Sequence, residues 1–306
     1  LIKVTNQPAD VEGIRVKPVL KWAGGKSGLL PQLLPLFPKN FDRYFEPFFG
    51  GGAVFFSLGF AGESYLNDLN AELIGLYETV RDFPVQLMQE LDLLAQRYSE
   101  EFYYQMREQN PKSKILRAAR TIFLNKSGFN GLYRQNSKGS FNVPFGKREN
   151  CPSFYDRENL LKASCSLQHA NLQSLDFEAV LDQAGRGDFV YCDPPYEPLS
   201  RTSSFNAYQG GGFSQAEQKR LKEACIRAQK RGANVVISNS SADFIKELYS
   251  DCVSKSISAR RAINSKGDSR GRIEELAIVL AASGIVEGSA IPNVRAAKPE
   301  SSLLQY

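Results

Sequence analysis

The 306-residue chain has one histidine, one tryptophan and two methionines, and its five cysteines, Cys151, Cys165, Cys192, Cys225 and Cys252, are scattered. They are odd in number and never spaced as C-x-x-C, so neither a disulfide framework nor a zinc site is indicated, and a reducing, cytoplasmic compartment is expected. The lone His169 falls in a predicted strand, Ser166 to Leu172, and reads as structural rather than catalytic. No apolar run approaches the ~18 residues of a membrane span, and the start lacks the basic-then-apolar pattern of a signal peptide. Gly25-Lys26-Ser27 resembles the end of a phosphate-binding loop, but that loop needs a glycine at position 20, which is Leu. No internal repeat is present. With 42% hydrophobic residues the chain can build one large core or two modest ones without staples.

A local absence is more informative. Residues 111 to 148 carry Lys112, Lys114, Arg117, Arg120, Lys126, Arg134, Lys138, Lys147 and Arg148 and no acid, although the net charge is only +5. A second stretch, Lys255 to Arg272, is basic but for Asp268. Solvated surfaces usually mix signs, so both stretches suggest a polyanionic partner.

The chain is organised around Asp193-Pro194-Pro195-Tyr196. The preceding run from Asp188 to Cys192 reads as a buried strand, stopped by two prolines that cannot continue a ladder. An acid, rigid carbonyls and an aromatic ring therefore sit just beyond a strand's carboxyl end, where open α/β sheets bind ligands. Earlier, Tyr44 to Gly52 reads as a strand, a glycine turn and the start of a helix, the opening of a nucleotide-binding βαβ unit. Tyr65 to Asp68 is a second strand whose terminal acid stands 20 residues after Phe48, the spacing at which a carboxylate meets ribose hydroxyls. Gly24-Gly25-Lys26 offers close backbone approach and an ammonium for a carboxylate.

Helices are expected from Asn70 to Arg81, over Pro84 to Gln109, and near 112 to 125, with no strands alternating between them. Residues 84–155 thus read as a mainly helical insert interrupting the α/β pattern. Its loop from Asn125 to Asn136 interleaves amides, glycines, aromatics and Arg134, residue types suited to reading base edges and wedging between bases. Lys138-Gly139-Ser140 leads into a predicted hairpin over Phe141 to Phe145. The α/β pattern resumes with a helix over Phe177 to Ala184, a loop over Ser200 to Gly212, a helix capped at Ser214, a strand over Asn234 to Asn239, a helix over Ala242 to Tyr249, and two late strands giving the sheet an antiparallel end. Residues 1–16 read as an extension and 285–306 as a polar tail.

Taken together, Leu20 to Lys26, Glu46 to Gly52, Asn67 to Asn70, Phe129 to Arg134, Phe141 to Gly146, Tyr191 to Tyr196 and Ser238-Asn239 closely resemble the DNA adenine-N6 methyltransferases of bacteria and phages that act on GATC. The resemblance runs from about Lys17 to Ala282. It implies an α/β, Rossmann-like S-adenosylmethionine-dependent sheet (17–83 and 156–284) with an inserted DNA-recognition domain (84–155). It also implies that Trp22, Lys26, Phe48, Gly50 to Gly52, Asp68 and Asp193 hold S-adenosyl-L-methionine, and that Asp193, Pro194, Pro195 and Tyr196 act on a flipped adenine. Lys21, Phe129, Asn130, Leu132, Tyr133, Arg134 and Lys138 would meet double-stranded DNA. Neither a metal nor an obligate protein partner is implied, and mismatch repair, restriction protection and phage defence all fit. A nicotinamide-dependent oxidoreductase shares the glycine turn but leaves Asp193 to Tyr196 and the basic insert unexplained. The intact Asp193 to Tyr196 and Asp68 argue against a catalytically inactive, DNA-binding regulator of the same fold. A methyltransferase acting on RNA or protein amides would differ in that duplex DNA would not compete for its site.

Overall fold

The computed structural model describes residues 16–136, 139–198, 213–260 and 272–282. All but Val16 of the predicted extension, the tail, the Ser200 to Gly212 loop, Lys138 and most of the second basic stretch lie outside those residues. The frame is a seven-stranded sheet of β1 (Tyr44–Glu46), β2 (Ser64–Asn67), β3 (Ala170–Gln173), β4 (Phe189–Cys192), β5 (Asn234–Ser240), β6 (Val253–Arg260) and β7 (Arg272–Leu280), in the order β3-β2-β1-β4-β5-β7-β6. β1 to β5 pair in parallel, and β7 runs antiparallel between β5 and β6. The order reverses between β1 and β4, which opens a crevice at their carboxyl ends.

The strands alternate between two buried faces, as a sheet covered on both sides requires. Phe189, Tyr191 and Val236 face one core, while Val190, Cys192, Val235 and Ile237 face the other. α8 (Phe177–Leu181), α9 (Gln215–Lys230) and α10 (Asp243–Leu248) cover the second face. The first face is covered by α2 (Ala53–Leu58), α3 (Ala71–Asp82), α4 (Pro84–Gln96), α5 (Glu100–Glu108), α6 (Lys114–Ser127) and α7 (Arg157–Ser166), which follow the one-turn α1 (Leu30–Leu33). Leu87, Leu91, Tyr103, Ile122 and Phe123 of the long insertion between β2 and β3 are fully buried in the same core as Tyr44 and Leu66 of the sheet. The insertion is therefore packed onto the sheet through continuous apolar contact.

Capping sets several boundaries. Asn70 accepts from the Glu72 and Leu73 amides, Ser99 from Phe102, Ser113 from Leu116, Asp156 from Asn159, and Ser214 from Glu217, each satisfying an otherwise orphaned donor. The Asp156 cap explains one departure from expectation. The helix it starts runs to Ser166, so the predicted Ser166 to Leu172 strand begins only at Ala170, and the exposed His169 lies in the preceding turn. The predicted Phe141 to Phe145 hairpin is another departure. The segment folds back through isolated bridges, Gln135 with Phe141 and Gly128 with Phe145, rather than through a ladder. Among the described residues, no helix is long and apolar enough to cross a membrane.

Candidate active site

A cavity of about 1060 Å³ occupies the crevice at the carboxyl ends of β1 and β4, and Trp22, Lys26, Phe48, Gly50 to Gly52, Asp68 and Asp193 to Tyr196 all line it. The glycine turn is built by its neighbours. Gly50 and Gly52 adopt φ of 47° and 68°, in the left-handed region that glycine enters without a Cβ penalty. A Cβ on Gly50 would lie 2.6 Å from Trp22 Nε1, and one on Gly52 2.6 Å from the Phe49 ring. The glycines thus admit the indole as well as any ligand. Asp68 pins this turn from β2: Oδ2 accepts from the Gly50 amide and Oδ1 from the Asn70 amide, both at 2.9 Å. Burial raises the Asp68 carboxyl above its usual range, and the two amides oppose the rise. Asn67, fully buried, completes the cradle by donating to the Pro47 carbonyl at 2.9 Å and accepting from the Leu175 amide at 2.8 Å. Phe48, with Phe177 at 5.4 Å and Phe213 at 5.6 Å between ring centres, makes an aromatic wall.

Asp193 emerges where the prolines end β4. The Lys26 ammonium, 4% exposed, stands 2.8 Å from its Oδ1, but obliquely, and Oδ1 is buried without a directed hydrogen bond. Burial raises the Asp193 carboxyl, Lys26 lowers it, and nearby Glu275 raises it again. Lys26 also donates to the Gly24 carbonyl at 2.7 Å and lies 4.7 Å from the centre of the Tyr196 ring. The Tyr196 hydroxyl donates to Glu275 Oε2 at 2.6 Å. Below, the buried Glu46 carboxyl accepts from the Tyr44 hydroxyl at 2.8 Å and is pushed well above the ordinary range by its burial.

The backbone beyond Asp193 is clamped by residues that carried no sequence signal. Gln218 of α9, fully buried, donates to the Pro195 carbonyl at 2.9 Å and accepts from Asn239 at 3.0 Å. Ser240 donates to the Glu197 carbonyl at 2.7 Å. Tyr191 and Ser238 share a buried hydrogen bond of 2.8 Å, so the Ser238-Asn239 motif does its work behind the site. Gln218 could have been suspected only from a buried amide's need for partners, which requires the fold.

Lys21 and the Phe129 to Arg134 loop, remote in sequence, meet beside the cavity. Asn125, buried at the end of α6, accepts from the Lys21 amide at 3.0 Å and donates to the Lys21 and Gly131 carbonyls, each at 2.9 Å. Phe129 is 50% exposed, and Asn130 is exposed in the left-handed region at φ 56°. Leu132 is half-buried. Arg134 is exposed, with its Nε edge bound to Asn142 Oδ1 at 2.8 Å. Tyr133, half-buried, is anchored on its inner side. Its ring packs on Trp22 at 5.0 Å, and its hydroxyl donates to Glu72 at 3.2 Å and accepts from Asn70 at 3.1 Å. It supports the loop from within.

The acid-free stretch is also less basic in space than in sequence. Glu78 and Glu72 of α3 pair with Lys114 at 3.3 Å and with the largely buried Arg120 at 3.4 Å. Lys126, half-buried on the cavity wall, has its pKa lowered first by burial and then by Lys21 and Arg148. That concentrates positive charge next to the loop.

Comparison with known proteins agrees with this geometry. Residues 22–263 match the family described as D12 class N6 adenine-specific DNA methyltransferase. A type II methyltransferase of Lactococcus lactis is 40% identical over 273 residues, which cover 87% of this chain and 95% of the relative. Another, from Methanocaldococcus jannaschii, is 40% identical over 278 residues, 84% of this chain and 96% of the relative. The DNA adenine methylase of Escherichia coli is 37% identical over 272 residues, 87% and 96% of the two chains. On the extent of these matches, and with Asp193 to Tyr196 assembled at the sheet's carboxyl edge, the chain belongs to the D12 class of N6 adenine-specific DNA methyltransferases.

Proposed function

We propose that this enzyme transfers a methyl group from S-adenosylmethionine to N6 of an adenine flipped out of duplex DNA, within GATC. The observation that carries the reading is Asp193, a largely buried carboxylate at the carboxyl end of β4 that lines the cavity Asp68 and the glycine turn share. The cradle suits that cofactor. Asp68 offers a carboxylate for ribose hydroxyls, Phe48 and Phe177 an aromatic wall for a purine, and Gly50 to Gly52 line the cavity without side chains of their own. When bound, the cofactor supplies an activated methyl on a sulfonium, so the chain's task is position and electrostatics.

The adenine N6 lone pair is delocalised into the ring. Hydrogen bonds from N6–H to Asp193 and to the Pro194 carbonyl favour a pyramidal, nucleophilic nitrogen. The Pro-Pro backbone needs to be rigid for this, and the Gln218 clamp on the next carbonyl keeps it so. Tyr196 offers its face to the ring. A base within a duplex cannot reach this depth, which is why the adenine must leave the stack. Phe129, exposed beside the cavity, is placed to fill the gap. The Lys26 ammonium is committed to Asp193 and the Gly24 carbonyl, so we assign it to the acceptor site rather than to the methionine carboxylate.

Gln218→Ala leaves the Pro195 carbonyl and the Asn239 amide unpaired in a buried setting, which should cost about 1 to 3 kcal/mol of stability. Thermal unfolding and steady-state methylation would be measured together. Turnover should fall with little change in duplex affinity, and unchanged turnover would show that the clamp is dispensable.

Sequence reading is assigned to Lys21, Asn130, Leu132 and Arg134. Asn142 holds the guanidinium through Nε and, at 3.3 Å, one terminal nitrogen, and the remaining terminal N–H groups can meet guanine O6 and N7, a contact worth about 1 to 3 kcal/mol of discrimination. Arg134→Ala should therefore lower turnover on the correct site more than on one altered at a single base pair. Lys126 and Arg148 are assigned to phosphates, so replacing them should weaken all duplexes alike and flatten the salt dependence. Methylation of duplexes differing only within a central GATC, at two salt concentrations, tests both assignments. A uniform loss for Arg134→Ala would make it a phosphate anchor.

A further inference from the structure

We infer that Glu275 is a positioning residue that receives the Lys26 ammonium when the target adenine's amino group takes Asp193. The inference rests on the reading of Asp193 as the N6 acceptor.

In the structure one ammonium stands between two carboxylates. Lys26 Nζ is 2.8 Å from Asp193 Oδ1 and 3.9 Å from Glu275 Oε2, and the two acid side chains are only 20% and 13% exposed. The ammonium therefore sits on the buried oxygen of the carboxylate that an incoming N6–H would reach. A carboxylate paired with a cation is a weaker acceptor for an amino group, so binding of N6–H is favoured when the cation yields. It cannot withdraw toward water without leaving its burial, because Lys26 is itself 4% exposed. The nearest alternative anion is Glu275, and a shift of about an ångström would turn the 3.9 Å approach into a close pair. The net charge of the three side chains is the same before and after the shift. Lys26 neutralises Asp193 while the site is empty of base, and neutralises Glu275 once the amino group is bound.

Glu275 is held for this task. It lies on β7 in register with Ser240 of β5 and Ile257 of β6, the interior position of an antiparallel triplet, so its backbone is fixed on both sides. Its Oε2 accepts the Tyr196 hydroxyl at 2.6 Å, which ties the receiving carboxylate to the aromatic ring proposed to face the base. Displacement of Lys26 and placement of the ring are thus referred to one side chain. Removing only the charge should separate the two roles, because the amide oxygen of a glutamine can still accept from Tyr196 but offers an ammonium much less.

The test compares two duplexes that carry either adenine or unsubstituted purine, which lacks the 6-amino group, at the target position. Affinity is measured in the presence of S-adenosylhomocysteine, and the quantity read is the adenine-to-purine affinity ratio. Asp193→Ala sets the ratio with no carboxylate acceptor, which also cancels the different ease of unpairing the two bases. The wild-type ratio should exceed that baseline by roughly tenfold or more, the scale of a hydrogen bond to a charged group. In Glu275→Gln the ratio should fall toward the Asp193→Ala baseline while affinity for the purine duplex holds, and Glu275→Asp should recover part of it. A Glu275→Gln ratio equal to wild type, or equal weakening of both duplexes, would overturn the role of Glu275. A wild-type ratio equal to that of Asp193→Ala would instead overturn the reading of Asp193. Glu275→Asp keeps the comparison available if the glutamine variant is too unstable to measure.

Discussion

Asp193→Ala is expected to abolish methyl transfer while leaving the fold and most duplex affinity in place. The side chain makes a single ion pair among the described residues. Its partner is Lys26, and the loss of the ion pair leaves that ammonium to the Gly24 carbonyl and Glu275. What disappears is the acceptor for N6–H. Asp193→Asn should be nearly as damaging, because an uncharged amide is a weaker acceptor and brings an NH₂ group toward Lys26. The raised carboxyl of Asp193 adds a pH signature. The deprotonated form is the acceptor, so activity should fall on acidification from a pH above the ordinary aspartate range. Single-turnover methylation across pH measures this. Near-wild-type rates in either variant would remove Asp193 from the chemistry.

The second large effect is expected at Asp68. Hydrogen bonds to charged groups are worth about 1.5 to 3 kcal/mol, so Asp68→Ala should weaken S-adenosylmethionine roughly ten- to a hundredfold. The structure gives a reason to expect the upper part of that range. Both carboxylate oxygens also hold backbone amides, Gly50 and Asn70, so the substitution releases the glycine turn as well as the ribose acceptor. Titration calorimetry with S-adenosylhomocysteine provides the readout, and cofactor affinity equal to wild type would place the ribose elsewhere.

Both of these residues are legible in the sequence because each ends a strand at a position that apolar patterning marks. Asp68 follows Tyr65 to Asn67, and Asp193 follows an apolar run cut by two prolines, so local chemistry locates them without any tertiary contact. The order of elements is legible for the same reason. The partners of those residues are not. Gln218 looks like any polar residue on a helix rich in Lys, Glu and Gln, and only the fold shows that it is fully buried against Pro195. Glu275 is one of two consecutive acids in a late strand, and nothing local distinguishes it from the exposed Glu274. The anchors of Tyr133 are not legible either, because they are Trp22 and Glu72, far away in the chain. The acid-free stretch misleads by a similar route, since sequence separation hides the glutamates that α3 brings to it.

The placement of β7 between β5 and β6 bears on how the enzyme comes into being during synthesis. The strand that closes the sheet is the last of the seven to leave the ribosome, and it enters an interior position rather than extending an edge. Until residues 272–280 are available, β5 presents an unpaired edge and β6 has no described neighbour in the sheet, a state in which strands pair with the wrong chain. Asp68, Asp193 and the Phe129 to Arg134 loop are all synthesised by then, but Tyr196 has no acceptor for its hydroxyl. A chain terminated before residue 272 would lack the interior strand and the acceptor of the Tyr196 hydroxyl, and is expected to be prone to mispairing and proteolysis.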